Sequence, residues 1–299
     1  MNRRAFAKSI IQSTASAIAA SGFPSAALSA PQSTAAATIP FRFSVMLWTV
    51  FRDLPFDQRL EKVAEAGIKN VELTGEFSKW SDDDFVKFNA KRRSLGMTFD
   101  ASSGIRTGIG DPASSDRFLA EFQQMLVTMN RIECPTIIVL SGNRVDAGHD
   151  AQHAACIDNL LRASDLAAKQ NVSVILENID PVENPRYYLT SVAEGFEIVR
   201  KVNRPNVKLL YDFYHEQIAE GNLIDKLQKN IDFTAVVHVA DVPGRHEPGT
   251  GEINYPNIFR TLAQLNFTGT VAMEFLPTGE PVAALRTARE LALRSAATP

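Results

Sequence analysis

From Phe41 onward the chain alternates between short unbroken apolar runs and longer stretches whose apolar residues recur every three or four positions. The short runs read as strands covered on both faces, and the longer stretches as amphipathic helices. Strands are predicted over 43–47, 70–74, 97–102, 136–140, 172–177, 207–212, 235–239 and 270–275. Phe56, Leu60, Val63 and Ala64 mark a helical face that stops at Gly67. A second helix is predicted over 81–95, with Ser81 as N-cap, acids in the first turn and Gly96 at the end. Further helices are predicted over 115–132, 151–169, 191–202 and 223–230, from Tyr255-Pro256, and over 282–293. Eight strands, each followed by a helix, define an α/β chain, a (β/α)8 TIM barrel in a single domain over 41–296. An open doubly wound sheet would carry a glycine fingerprint after its first strand, and the segment WTVFRDLP there has no glycine.

Four of these strands end in residues able to bind a metal: VSVILEN delivers Glu177, VKLLYD Asp212, AVVHVAD His238 and TVAMEF Glu274. In a barrel the strand ends share one face, so these side chains are expected to converge. Three carboxylates and one imidazole suit Mn2+, Mg2+ or Co2+ better than a structural zinc. A divalent cation acidifies a C–H bond beside a carbonyl, and Glu177 and Glu274 would take and return the proton. His215 follows Asp212 by three positions, so a first helical turn brings it back toward the same point. Arg245, in the loop PGRHEPGTG, suits capture of a substrate carboxylate through its two-pronged guanidinium. Glu72 and Glu76 lie near the end of the second strand; Glu72 is counted with the substrate contacts, a buried structural carboxylate being the other reading. Trp48 and Phe51 are placed to wall the pocket, and His246 and Glu247 to order their loop.

The 299 residues, 45% hydrophobic, are enough for one large α/β domain. A net charge of -3 without a basic patch argues against a nucleic-acid partner. Residues 1–37 read as an export signal and linker, because Arg3, Arg4, Phe6 and Lys8 resemble the twin-arginine signature ahead of a weak apolar run. That run, Ile10 to Ala20, is too short for a stable membrane span. The expected location is the periplasm, reached after folding in the cytoplasm, a route that allows a metal to be loaded first. Cys134 and Cys156 are expected to be buried apolar fillers rather than a disulfide.

The segments LEN, LLYDFYHEQIAEGNL, VHVADVPGRHEPGTGEINYPNIF and AMEF resemble the hydroxypyruvate isomerase family, a branch of the xylose isomerase-like barrels that also holds ketose 3-epimerases. The resemblance spans essentially 41–295, and its most specific part is ADVPGRHEPGTGEINY. It implies metal ligation by Glu177, Asp212, His238 and Glu274, proton transfer by the two glutamates, and substrate contact by His215 and Arg245. The implied reaction interconverts a small hydroxy-aldehyde and hydroxy-ketone through an enediol, for example hydroxypyruvate and tartronate semialdehyde. His238 departs from many hydroxypyruvate isomerases, which carry glutamine there, and matches the ketose epimerases. A ketose 3-epimerase, a dehydratase on the same barrel and a non-catalytic exported sugar-binding protein are therefore the alternatives. A DNA-repair endonuclease would need more than five histidines and a basic surface. The sequence leaves oligomeric state open; the resemblance implies a homo-oligomer paired through helices around the barrel.

Overall fold

The computed structural model describes residues 39–297, and the expected export segment lies outside them. The strands are β1 (Arg42–Met46), β2 (Asn70–Thr74), β3 (Thr98–Ser103), β4 (Thr136–Leu140), β5 (Ser173–Glu177), β6 (Val207–Asp212), β7 (Thr234–Val239) and β8 (Thr270–Met273). They close into one barrel in chain order, with β8 pairing parallel to β1. The helices are α1 (Phe56–Glu65), α2 (Asp82–Ser94), α3 (Ser115–Ile132), α4 (His149–Ala168), α5 (Val192–Val202), α6 (Phe213–Ala219), α7 (Leu223–Asn230), α8 (Tyr255–Gln264) and α9 (Pro281–Ala296). Among the described residues, no helix is long and apolar enough to cross a membrane.

Local chemistry explains the helix starts. The Ser81 hydroxyl accepts from the Asp84 amide at 3.2 Å while Asp84 accepts from the Ser81 amide at 2.9 Å, a capping box opening α2. One expectation is corrected. A single short helix was predicted after the sixth strand, but α6 begins directly at the strand end and α7 follows. The extra helix forms because Asp212 caps it, accepting from the amides of Tyr214 at 2.7 Å and His215 at 3.1 Å.

Apolar faces of the helices pack on the outer face of the barrel, where Leu60, Phe118, Phe122 and Phe196 are buried in one continuous core with the strands. Each such side chain contributes about 1.5–3 kcal/mol through burial. Cys134 and Cys156 are buried thiols without a disulfide.

The barrel interior follows the two-residue period of its strands. Ser173, Lys208, Thr234 and Thr270 line a cavity of about 920 Å³ at the end where strands begin. Two residues on, Ile175, Leu210, Val236 and Ala272 join Met46, Ala101 and Ile138 in a separate apolar cluster that plugs the barrel. Two residues further, Glu177, Asp212, His238 and Glu274 meet at the opposite end. The apolar layer thus separates the large lower cavity from the polar group above it.

Candidate metal and substrate centre

Glu177, Asp212, His238 and Glu274 each offer a ligand atom, and these atoms all lie within 4.8 Å of one another. All four residues are buried. Glu274 sits one position beyond β8, its amide held by the Val239 carbonyl at 3.2 Å. His238 Nδ1 faces the group, at 3.0 Å from Glu274, 3.6 Å from Glu177 and 3.9 Å from Asp212. Its Nε2 lies 2.8 Å from Glu72. With an Nε2–H given to Glu72, Nδ1 is the nitrogen turned to the centre, the arrangement in which an outer carboxylate orients a metal-binding histidine.

Glu72 is therefore not at the mouth. Its side chain is fully buried behind the imidazole, which corrects the expectation of a substrate contact in favour of the structural reading. The cause is depth: Glu72 pairs with Met46 halfway along β2, beside a register shift between Val71 and Glu72.

The group fits a cation. Asp212 uses Oδ1 for the α6 cap, and its buried Oδ2 has no hydrogen-bond partner among the described residues. His215 Nε2 at 3.5 Å and Arg245 Nη2 at 3.7 Å stand too far from this oxygen to bond it, which leaves room for a cation as a closer partner. Three carboxylates with one imidazole match hard or borderline divalent ions.

The two glutamates stand in unlike settings. Burial pushes the Glu177 carboxyl up to about 8, helped by Glu274 and Asp212 against the opposing pull of His238. Burial acts the same way on Glu274, but Arg245 and His238 outweigh it and hold that carboxyl well below the usual range. Glu274 accepts from Trp48 Nε1 at 2.8 Å and from Arg245 Nη2 at 2.7 Å. Burial opposes a proton on His238, yet Glu72 and Glu274 raise its pKa well above the ordinary imidazole value.

His215 and Arg245 form the wall beside this centre. His215 Nε2 lies 3.5 Å from Asp212 Oδ2 and 3.4 Å from Arg245 Nη2. Arg245 also reaches Glu183 at 3.5 Å, and its guanidinium lies over the rings of Tyr214 at 4.9 Å and Trp48 at 5.6 Å. Its loop is tied down by buried Asp241, which accepts from the amides of Val242 and Ile253 at 3.0 Å and Gly249 at 2.9 Å. A side chain at Gly251 would place Cβ 2.1 Å from the Val242 carbonyl oxygen, so this turn requires glycine. His246 and Glu247 order the same loop, bonding Leu276 and Thr278. Phe51 is buried, while Trp48 is half-buried and bonds the centre directly.

Sequence reasoning missed three residues of this wall: Asp180, Glu183 and Tyr214. Glu183 receives the Tyr214 hydroxyl and faces Arg245. The two acids stand three and six positions after Glu177 in the segment ENIDPVEN, and Tyr214 stands between Asp212 and His215.

Comparisons agree with this architecture. Residues 60–295 match the model of the xylose isomerase-like TIM barrel family. The chain is 31% identical over 247 residues to a 2-oxo-tetronate isomerase of Pectobacterium atrosepticum, covering 80% of this chain and 93% of that protein. It is 28% identical over 253 residues to the hydroxypyruvate isomerase of Escherichia coli, covering 82% and 97%. A crystal structure described as AP endonuclease, family 2, from Brucella melitensis superposes with a TM-score of 0.76 at 26% identity, covering 85% of this chain and 99% of that one. The chain belongs to the xylose isomerase-like TIM barrel family. Its curated relatives are named isomerases, which places it among isomerase-type enzymes.

Proposed function

We propose that the protein is a divalent-metal-dependent isomerase of small hydroxycarbonyl acids, of the hydroxypyruvate or 2-oxo-tetronate kind. The observation that carries this reading is the convergence of Glu177, Asp212, His238 and Glu274 within 4.8 Å at the end of the barrel where strands finish. Those four residues would hold Mn2+, Mg2+ or Co2+. The cation, when bound, polarises the carbonyl and acidifies the neighbouring C–H bond.

The residues of the chain account for the rest. One glutamate takes the proton from carbon and the other returns a proton to the adjacent carbon, while the hydroxyl proton shifts to the neighbouring oxygen. Glu177, a ligand of that cation, would be held in its ionised, proton-accepting form by the metal charge, against the burial that raises its carboxyl when no cation is bound. Glu274, fixed by Trp48 and Arg245, stands ionised across from it. His215 and Arg245 hold substrate oxygens, and Arg245 offers a fork for a carboxylate.

The test is exchange of substrate C–H for deuterium in D2O, followed by NMR with hydroxypyruvate and 2-oxo-tetronate. Exchange and isomer formation are expected with added Mn2+, and both should vanish in Glu177→Gln and Glu274→Gln. Absence of exchange with every 2-oxo acid tried, or undiminished exchange in both variants, would refute the proposal. His238 supports a second reading, a ketose 3-epimerase, because the resemblance associates histidine at that position with the epimerases. It would show exchange at one carbon with a diastereomer as product.

A further inference from the structure

We propose that Asp180 is a positioning residue that fixes which nitrogen His215 turns to the substrate; the inference rests on the isomerase reading above. Asp180 lies in the loop after β5 and is fully buried. Its Oδ1 accepts from the amides of Val182 at 2.9 Å and Glu183 at 2.7 Å. Its Oδ2 lies 2.7 Å from His215 Nδ1. A carboxylate bonded this way accepts only, so Nδ1 must carry the hydrogen.

Nε2 is then the end presented to the centre, beside Arg245 Nη2 and Asp212 Oδ2. His215 is itself buried and packs edge-on to Tyr214, with ring centroids 5.5 Å apart. The turn closed by Asp180 Oδ1 also sets the start of Glu183, whose carboxylate holds Tyr214 and faces Arg245. One buried acid thus steadies both members of the substrate wall.

A purely structural role would need only the first oxygen. The two amide bonds that close the loop are made by Oδ1, and an asparagine would keep them. The second oxygen serves the imidazole alone. In Asp180→Asn the amide NH2 meets Nδ1, which must become an acceptor, and the proton moves to Nε2. Orientation of a histidine by an acid that does not itself react is a recurrent catalytic device.

The experiment uses the full barrel with Mn2+-free protein for spectroscopy and Mn2+-loaded protein for kinetics. Two-bond 1H–15N NMR on 15N-histidine protein, with His215 assigned by its loss in His215→Ala, reads which ring nitrogen is protonated. Wild type is expected to show a protonated Nδ1, and Asp180→Asn an unprotonated one. Asp180→Asn should lower kcat by about 10–100-fold, the range for outer residues that orient a functional histidine, with KM shifted less than about 3-fold. Combined with His215→Ala it should add almost nothing, because both act through one ring. An unprotonated Nδ1 in wild type, the same protonation in both proteins, or fully additive losses would overturn the inference. If wild type shows no proton exchange, the isomerase reading fails while the spectra still decide the tautomer. If Asp180→Asn does not fold, the wild-type spectrum decides alone.

Discussion

Three inward positions of β6 should respond to substitution in three different ways, because each belongs to a different layer. Leu210 lies in the apolar plug with Ile175, Val236 and Ala272, and is fully buried. Leu210→Ala removes three carbons from a rigid ring of strands that relaxes little. The expected loss is about 2–5 kcal/mol, transfer and cavity together. At about 2–4 °C per kcal/mol for a domain of this size, Tm should fall by roughly 4–20 °C. Lys208, two residues below, opens onto the lower cavity and places its ammonium on the Asp232 carbonyl. Lys208→Ala should cost about 1 kcal/mol at most. Asp212, two residues above, keeps its cap bonds through Oδ1 when changed to Asn, so the fold should persist while Mn2+ binding is lost. Thermal unfolding by circular dichroism, with and without Mn2+, reads all three. A Leu210→Ala loss below about 1 kcal/mol, or a Lys208→Ala loss as large as that of Leu210→Ala, would refute the layered interior.

Trp48→Phe removes the 2.8 Å donor to Glu274. A hydrogen bond to a charged group is worth about 1.5–3 kcal/mol, so kcat/KM should fall by about 10-fold or more; an undiminished kcat/KM would contradict the role. On α3, burial opposes ionisation of Glu121, but the Thr107 and Arg106 amides and Arg117 lower its pKa from 4.5 to about 2. Its stabilisation is therefore present above pH 4.5 and lost as pH falls toward about 2. Glu121→Gln should cost about 1 kcal/mol at neutral pH, after allowance for solvent screening, and nothing near pH 2, as read by urea unfolding. Arg3→Lys with Arg4→Lys should retain the protein in the cytoplasm of a host with twin-arginine export, and unchanged periplasmic recovery would contradict the leader.

The eight strands and their order were legible because both faces of each are covered, so the apolar runs are unbroken. The four metal-binding candidates were legible for a related reason: each stands two residues past a plug residue on its own strand, or one position beyond the strand in the case of Glu274. The depth of Glu72 was not legible. Alternation gives the direction of a side chain, but barrel stagger sets its level, and here stagger puts Glu72 behind His238. Helix α6 was hidden because its buried positions include His215 and Glu216, which break the apolar period. Asp180 and Glu183 were hidden in a proline-rich loop, and Trp48 reaches its acceptor across 226 positions. Such pairings become visible only once the chain is folded.

The most direct test is anomalous diffraction at the manganese edge from crystals grown with Mn2+. One peak is expected, within ligating distance of Glu177, Asp212, His238 Nδ1 and Glu274 together. A peak elsewhere, or density there that His238 Nδ1 does not touch, would contradict it.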